Sequence, residues 1–423
     1  ELRMTPYWEP SFEVEEGVPE GSWAARVRQT TQEAIRRQMV SDVPLGSFLS
    51  GGLDSGAVVA TMRGVSPRVS AHTVGFSRED LTHEIVPDDL GYARDLAPQM
   101  VDLLPKLIWH LDDPIADPAA ISTYLICAAA REDVTVVLSG MGADEIFAGY
   151  PRHLAAKLTR PADHAPRALR RALRSSLEGR LTMGRPGRLR GPRRNAMKLL
   201  RGIDQPFAER YLTYSSYYRA EELSSLLSPE LRSELGSYDP LGGHRRLLAG
   251  SEGDDWLNRL LHLDLKIFVT SINLSYTDKM SMAASTEVRV PLLDDRVVEL
   301  AGQVPPELKL RRGTRKYVLK RAMEGVLPPA VIWRPKAGFG APLRAWMGGP
   351  MRPLIDDCLS PATVRERGLF DPREVRRLVR DNDAGVADNA LRIWALMVLE
   401  LWQRAFLDDA RIARKPARAQ LVH

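Results

Sequence analysis

The chain contains 423 residues, of which 44% are hydrophobic and 27% charged, with a net charge of +5 and two cysteines, Cys127 and Cys358. At about 100–200 residues per domain, this length allows roughly two to four domains. The cysteine count excludes a disulfide scaffold and any CxxC zinc or redox motif. The low cysteine count therefore predicts a reducing, cytoplasmic location. No apolar run approaches the ~20 residues of a membrane span, so no membrane partner is expected.

The positive charge is concentrated in one segment. Residues 160–201 carry thirteen basic side chains and two acidic ones, a balance that could attract nucleic acid. No aromatic residue lies among these arginines, although binding of single strands needs aromatic rings on which bases stack. We therefore expect a solvated, arginine-rich helical excursion and no nucleic-acid partner.

Hydrophobic periodicity predicts strands and helices that alternate along the first third of the chain. Strands are predicted over 43–49, 69–76 and 134–138, and helices over 26–39, 57–62, 89–100 and 121–131. Farther on, helical patterns cover 165–177, 207–218, 256–274, 315–323 and 389–406. Strands separated by helices are typical of βαβ units. We predict an α/β fold, with a parallel twisted sheet and flanking helices, extended by a mostly helical C-terminal part.

A glycine-rich loop follows the first predicted strand, where the sequence LSGGLDSG at 49–56 leads into a helix. Adjacent glycines let backbone N–H groups approach an anion, the helix N-terminus adds its positive dipole end, and serine hydroxyls are further donors. A carboxylate here suits Mg²⁺, which prefers carboxylate and phosphate oxygens; an ordinary serine-capped corner is the alternative. The candidate pyrophosphate-binding residues are Leu49, Ser50, Gly51, Gly52, Asp54 and Ser55.

At this loop the chain resembles a known family. SGGLDS is similar to the pyrophosphate-binding loop of the ATP pyrophosphatases, and VPLG before it resembles the synthetase domain of asparagine synthetases. Further blocks follow in the family's order: HLDDPIADP (110–118), LSGMGADEIFAGY (138–150), TDKMSM (277–282), EVRVPLLD (287–294) and WRPKAGFG (333–340). The resemblance implies an adenine nucleotide alpha hydrolase-like fold and a carbon–nitrogen ligase that uses ATP and Mg²⁺.

A second acidic block follows the third predicted strand, where Ser139 and Gly140 lead to Asp144 and Glu145 at the start of a helix. These residues are expected at the carboxyl edge of the sheet, where open α/β folds bind ligands. Acidic residues that merely satisfy the helix dipole are the alternative. The resemblance implies that Asp144 joins Asp54 in holding Mg²⁺ on the pyrophosphate of ATP. Ser139 and Gly140 are ATP-binding candidates, and Asp144 and Glu145 are catalytic candidates.

Two lysines are candidates for stabilising the charge that develops on the α-phosphoryl oxygens and on the leaving pyrophosphate. The resemblance implies that Lys336, on the glycine-rich loop WRPKAGFG, is the transition-state lysine; an exposed loop charge is the alternative. Lys316 is a second ATP-binding candidate. The resemblance also suggests that adenine rests on the backbone of 48–49 and 74–75, which adds Val74 to the set.

Position 141 departs from the family's pattern. Asparagine synthetases commonly carry a carboxylate between the two glycines here, suited to accept the proton of the attacking ammonia, whereas this chain has Met141. Asp117, Glu145 or Glu287 could supply the base, and spacing does not distinguish them. Met141 and Glu287 are the acceptor-side candidates, although Glu287 is expected mainly to form one buried pair with Arg289.

The resemblance implies ATP-dependent amide formation. A carboxylate, with aspartate as the leading candidate, is adenylated with release of pyrophosphate, and ammonia or an amine then expels AMP. One alternative is an amide or lactam synthetase that uses a substrate amine, as β-lactam synthetases and lasso-peptide cyclases do. A tRNA-modifying pyrophosphatase would leave the blocks near 287 and 333 without a role, and a catalytically silent nucleotide-binding subunit is a further alternative.

The resemblance also predicts the domain organisation. Residues 1–20 are interpreted as the remnant of an interdomain linker, 21–410 as one synthetase domain and 411–423 as a basic tail. Within that domain we predict an α/β core over about 21–150, the helical excursion over about 151–255 and a helical remainder over 256–410. The linker predicts a glutaminase partner, removed or on another chain, because such domains begin with a nucleophilic cysteine and residue 1 is Glu1; a different amine and a homodimer stay open.

Overall fold

The computed structural model describes residues 3, 5, 7–74, 100–182, 199–200, 202–250, 255–334 and 340–408. Helices and strands alternate in its first part. The elements there are α1 (Glu20–Gln38), β1 (Leu45–Phe48), α2 (Leu53–Arg63), β2 (Ser70–His72), α3 (Met100–Leu111), α4 (Ala119–Ala130), β3 (Val136–Leu138) and α5 (Ala143–Ile146).

A parallel four-stranded sheet lies at the centre, in the order β2–β1–β3–β4, where β4 is Glu287–Arg289. β1 pairs with β2 with Gly46 opposite Ser70, and a Cβ at Gly46 would lie 2.9 Å from the Ser70 carbonyl oxygen. Glycine therefore permits the close approach of these strands. Because all four strands are parallel, their carboxyl ends meet at one edge of the sheet.

Helices cover both faces of the sheet, and the side chains of β3 alternate between them. Leu138 packs with Ile35 of α1 and Met62 of α2, whereas Val137 packs with Ala130 of α4 on the opposite face. A strand buried on both faces has no polar positions, which explains why this segment is a continuous apolar run.

The remainder of the described chain is mostly helical. Its elements are α6 (Pro151–Thr159), α7 (Arg167–Thr182), α8 (Phe207–Ser215), α9 (Ala220–Leu226), α10 (Pro229–Leu235), α11 (Gly242–Gly250), α12 (Trp256–Leu263), a π-helix (Asp264–Asn273), α13 (Leu274–Ala283), α14 (Asp295–Gln303), α15 (Pro306–Lys309), the hairpin β5 (Leu310–Arg311) and β6 (Thr314–Arg315), α16 (Tyr317–Ala322), α17 (Pro329–Ile332), α18 (Leu343–Met347), α19 (Arg352–Cys358), α20 (Pro361–Arg367), α21 (Pro372–Asp383) and α22 (Ala390–Gln403). Short 3₁₀ or π turns cover Arg160–His164, Pro291–Leu293 and Arg404–Asp408.

The structure confirms the predicted α/β fold with a parallel sheet and a helical C-terminal part. The fourth strand, β4, was not predicted, because a three-residue strand with charged residues on both sides of Val288 has no recognisable strand pattern. The predicted helix over 89–100 lies outside the described residues except for Met100, where α3 begins. Among the described residues, no helix has both the length and the apolar character needed to cross a membrane.

Candidate active site

The loop between β1 and α2 lies at the carboxyl edge of the sheet and is closed by its own serines. Ser55 Oγ accepts the backbone N–H of Ser50 at 3.1 Å and lies 3.0 Å from Ser50 Oγ. Gly51 has a left-handed φ of +66°, and Gly52 is the N-cap of α2. Arg334 donates to the carbonyl oxygen of Gly51 at 3.3 Å. The loop is a tight glycine turn at the start of α2, and the first N–H groups of a helix are suited to bind an anion.

A second glycine loop, between β3 and α5, packs directly on the first. A Cβ at Gly140 would lie 2.6 Å from the backbone nitrogen of Ser55 and 2.7 Å from the carbonyl carbon of Asp54. Only glycine allows this approach of two backbones. The backbone N–H of Ser139 donates to the carbonyl oxygen of Arg289 at 2.8 Å, which ties the loop to β4. The contact of the two loops places the acidic starts of α2 and α5 side by side.

Lys316 lies between the two acidic residues. Its Nζ is 2.6 Å from Asp54 Oδ2 and 2.7 Å from Asp144 Oδ1, and its side chain is only 7% exposed. Burial by itself would lower the pKa of Lys316, but the charges of Asp144 and Asp54 outweigh burial and raise that pKa. A permanently charged ammonium therefore lies between two carboxylates beside the glycine loops.

Close backbone packing holds this cluster in place. Lys316 follows the β5–β6 hairpin with a left-handed φ of +53°, and its N–H donates to the carbonyl oxygen of Phe147 at 3.2 Å. A Cβ at Gly149 would lie 1.9 Å from Asp144 Oδ1 and 2.1 Å from Lys316 Cε. Gly149 thus leaves the space that the Asp144–Lys316 pair occupies. It belongs to the quoted block GADEIFAGY, but sequence reasoning did not single it out.

Glu145 supports the site from behind. Its side chain is buried, and Oε1 accepts hydrogen bonds from the Tyr150 hydroxyl at 2.6 Å and from Asn273 Nδ2 at 2.8 Å. Burial and the charges of Glu145 and Asp144 raise the pKa of Tyr150 well above its usual range, so its hydroxyl remains a donor. The bond from Asn273 ties α5 to the end of the π-helix. Sequence reasoning did not identify Asn273, because its contact with Glu145 spans 128 residues. It also did not single out Tyr150, although this residue is only five positions from Glu145 in the quoted block.

Met141 lies in the second glycine loop and contacts α13. Its N–H donates to Ser139 Oγ at 3.2 Å, and the Thr277 hydroxyl lies 3.7 Å from its sulfur. The half-buried Met141 and Val74 both pack against the hydrophobic cluster that contains Tyr276. This part of the site is apolar, and a thioether stands where the family's pattern has a carboxylate.

Glu287 does not lie at the carboxyl edge of the sheet, where the two glycine loops are. It is the first residue of β4, opposite Val136, at the amino end of the parallel strands. The Glu287–Arg289 pair forms at 2.6 Å, but the glutamate side chain is 52% exposed, so the expectation of a buried pair is wrong. Arg289 donates to the carbonyl oxygens of Gln38, the last residue of α1, and of Val40, in the connection from α1 to β1. The pair therefore braces the amino edge, opposite the glycine loops.

Of the remaining candidates, some lie at the carboxyl edge of the sheet and others lie outside the described residues. Leu49 donates its N–H to the carbonyl oxygen of His72 at 2.8 Å, so the ends of β1 and β2 lie together near Val74. Lys336 and the second half of the expected adenine contact, Gly75, lie outside the described residues.

Two glycine loops at the carboxyl edge of a parallel sheet, with a lysine held between two carboxylates, fit the adenine nucleotide alpha hydrolase-like fold that the resemblance implies. The family described as Asparagine synthase matches residues 26–404. The chain belongs to the asparagine synthase family and carries its ligase domain, which confirms the resemblance seen in the sequence and the prediction of an AMP-forming carbon–nitrogen ligase of that family.

Individual relatives agree with this assignment. A putative glutamine-hydrolyzing asparagine synthetase of Mycobacterium tuberculosis is 31% identical over 418 residues, which is 96% of this chain and 62% of the relative. Glutamine-hydrolyzing asparagine synthetase 1 of Bacillus subtilis is 31% identical over 388 residues, 89% of this chain and 58% of the relative. A protein named Amidase chyE from Penicillium rubens is 24% identical over 86% of this chain and 60% of its own length. The chain thus spans about three fifths of the length of these relatives.

Proposed function

We propose that this chain forms an amide bond at the expense of ATP in two steps. A carboxylate attacks the α-phosphorus of ATP, which gives an acyl-adenylate and releases pyrophosphate. Ammonia or an amine then attacks the acyl carbon and expels AMP. Membership of the asparagine synthase family supports this reaction class. The observation that carries it is the charged Lys316 between Asp54 and Asp144, beside the two glycine loops.

The protein's share of the first step is positioning and electrostatic stabilisation. The N–H groups at the start of α2 and the hydroxyls of Ser50 and Ser55 would receive the pyrophosphate oxygens, and Lys316 would stabilise their growing charge. For the other nucleotide-binding residues we propose the roles that the sequence predicts. We propose Lys336 as a second cation, at the α-phosphoryl group. The proposed nucleotide-binding set is Leu49, Ser50, Gly51, Gly52, Asp54, Ser55, Val74, Ser139, Gly140 and Lys316.

Asp54 and Asp144 fit a Mg²⁺ ion by their donor chemistry. Both carboxylates converge on one point, since each has an oxygen within 2.7 Å of Lys316 Nζ, and Mg²⁺ is commonly bound by one or two carboxylates together with substrate phosphates. We propose these two aspartates as its protein ligands. When bound, the ion would neutralise charge on the pyrophosphate group.

The identity of the acid is a proposal separate from the adenylation itself. Aspartate is the leading candidate because relatives at 31% identity are named asparagine synthetases. The apolar surroundings of Met141 favour a second candidate, an amide synthetase that activates a different acid and uses that substrate's own amine or another amine. For ammonia, we propose a glutaminase domain or subunit as the source, since the named relatives are glutamine-hydrolyzing and longer than this chain.

The test of adenylation is ATP–pyrophosphate exchange, measured with aspartate and then with a pool of carboxylic acids. Asp54→Asn and Asp144→Asn should each reduce exchange by about 100-fold, since each removes a charge at the phosphate site. Asp42→Asn, at an exposed position before β1, is the matched control and should exchange at the wild-type rate. Retained exchange in both site variants would refute the assignment.

Product analysis separates the two acceptor hypotheses. Wild-type protein is incubated with ATP, ammonium chloride and each acid that supports exchange, and the amide is identified by mass spectrometry. Asparagine as the product supports the first candidate. A product from another acid, with no exchange in the presence of aspartate, supports the second.

A further inference from the structure

The amine that attacks the acyl-adenylate has to lose a proton, and three carboxylates were left open as the base. Glu287 lies at the amino edge of the sheet in a pair with Arg289. Glu145 is buried and accepts hydrogen bonds from Tyr150 and Asn273. Of the three, Asp117 is the residue that neither lies at the amino edge nor accepts hydrogen bonds from two side-chain donors within the described residues.

The topology brings Asp117 to the carboxyl edge. α4 ends at Ala130 and leads into the amino end of β3, so its first residues lie at the opposite, carboxyl edge. α13 ends at Ala283 and leads in the same way into β4, and it packs along α4. The segment before α4 and the first turn of α13 therefore meet beside the second glycine loop.

The segment that contains Asp117 and the loop that contains Met141 share one hydrophobic cluster. Ala116 and Met141 both pack against the hydrophobic cluster that includes Tyr276. The hydroxyl of Thr277, the next residue of α13, lies 3.7 Å from the Met141 sulfur. Asp117 therefore directly follows Ala116, which packs against the same cluster as Met141. Position 141 is where the family's pattern has a carboxylate.

The surroundings of Asp117 suit a proton acceptor. Its side chain is half-buried, and Oδ1 accepts the N–H of Ala119 at 2.9 Å. The groups that face it are the tyrosines Tyr217, whose hydroxyl donates to the Ala116 carbonyl oxygen at 3.0 Å, and Tyr276. Burial raises the pKa of Asp117, although the bond from Ala119 opposes this shift. Within the described ranges no lysine or arginine forms an ion pair with it, so its carboxylate is a stronger base than an exposed aspartate.

We propose that Asp117 is the acceptor-side base, in place of a carboxylate at position 141. This inference rests on the proposed amide synthesis. As the amine attacks, the bond between nitrogen and the acyl carbon forms, and the bond between that carbon and the AMP oxygen breaks. The proton leaves the amine nitrogen for the Asp117 carboxylate and passes from there to water. This step does not involve the residues proposed to bind the phosphates of ATP, and it does not depend on which acid is activated.

The experiment compares the two half-reactions in Asp117→Asn. Its matched control is Asp113→Asn, an exposed aspartate four residues earlier in the same segment. ATP–pyrophosphate exchange with the acid that wild type uses reports adenylation alone. Amide formation from ammonium chloride requires the base, whereas hydroxylamine, a stronger nucleophile, traps the acyl-adenylate with little need of one.

In Asp117→Asn we expect exchange and hydroxamate formation to stay within about threefold of wild type while ammonia-dependent amide formation falls by about 100-fold or more. Asp117→Glu should recover part of that loss, and Asp113→Asn should behave as wild type. Undiminished amide formation in Asp117→Asn would overturn the proposal, and so would an equal loss of exchange, which indicates a structural role. Absence of exchange with every acid in the wild-type protein would instead refute the proposed function.

Discussion

The two halves of the candidate site are built in different ways. The phosphate side consists of the two glycine loops with Asp54, Asp144 and Lys316, and backbone atoms and charges form it. The acceptor side consists of Val74, Asp117, Met141, Tyr276 and Thr277, and side chains on α13 and on the loops form it. On the phosphate side a single added methyl group would overlap with its neighbours at Gly140 or Gly149. On the acceptor side the half-buried Met141 makes a long contact of 3.7 Å.

This difference indicates in which half of the site residues can be substituted without loss of the fold. A half built from close backbone contacts serves any adenylated acid, since ATP is the same for all of them. A half lined by replaceable side chains can be adapted to another acid or amine with few substitutions. Glu145 connects the halves, because it neighbours Asp144 in α5 and accepts a hydrogen bond from Asn273 just before α13.

The largest effect is expected for the loss of the central cation. Lys316→Met keeps the length of the side chain but leaves Asp54 and Asp144 without the charge between them, so exchange of pyrophosphate into ATP should fall by about 100- to 1,000-fold. Lys320→Met, one turn farther along α16 where the lysine lies over the Trp333 ring, is the control. Exchange within threefold of wild type in Lys316→Met would show that the cluster is structural.

A purely steric change should break the same half. In Gly149→Ala the new Cβ would lie 1.9 Å from Asp144 Oδ1, so the aspartate or Lys316 has to move. A displacement of about 1 Å can cost about 100-fold in rate, and we expect a loss of that order in exchange at saturating acid. Gly243→Ala, whose Cβ would meet only the tip of Arg246 at 4.0 Å, is the control. Full exchange activity in Gly149→Ala would contradict the rigid description of the phosphate side.

The same contrast explains what the sequence could predict. The glycine loops follow strands and precede helix starts, a local pattern, so Asp54, Asp144 and the loop residues could be named from sequence. Lys316 was a candidate, but its place between two aspartates that are 262 and 172 positions away along the chain depends on long-range packing that no local pattern contains. For the same reason Glu287 was expected on the acceptor side, because a motif shows which residues recur together and not which edge of the sheet they occupy.

Smaller effects are expected on the acceptor side. Met141→Glu restores a carboxylate between the two glycines at a half-buried position beside Thr277. Pyrophosphate exchange should change by no more than about threefold, because the phosphate side is untouched, while the ratio of aspartate to apolar acids among accepted substrates should shift by about tenfold. Met141→Leu controls for packing. A collapse of exchange in Met141→Glu but not in Met141→Leu would show that the two halves are not independent.

A change outside both halves should leave catalysis intact and alter stability alone. Lys309 is fully buried, its Nζ donates to Asn258 Oδ1 at 2.8 Å, and burial lowers its pKa to about 7. Between that pH and the usual value of 10.5 the unfolded chain holds a proton that the folded chain lacks. The free energy of unfolding therefore rises with pH over this window, and the penalty of burying the lysine is fully present below about pH 7.

Lys309→Met removes that penalty and leaves the Asn258 carbonyl without its donor, which costs about 1–3 kcal/mol. Because a pKa shift of one unit corresponds to about 1.4 kcal/mol, the variant should be stabilised relative to wild type at pH 6 and gain less, or nothing, at pH 9.5. Urea unfolding at the two pH values measures this difference, and exchange activity at pH 8 should equal that of wild type. Lys157→Met, a half-buried lysine that donates to the Leu310 carbonyl oxygen, is the control for loss of a charge. Equal effects of Lys309→Met on the free energy of unfolding at both pH values would mean that Lys309 stays protonated in the folded chain. The variant would then change stability without changing exchange activity, but with no dependence on pH.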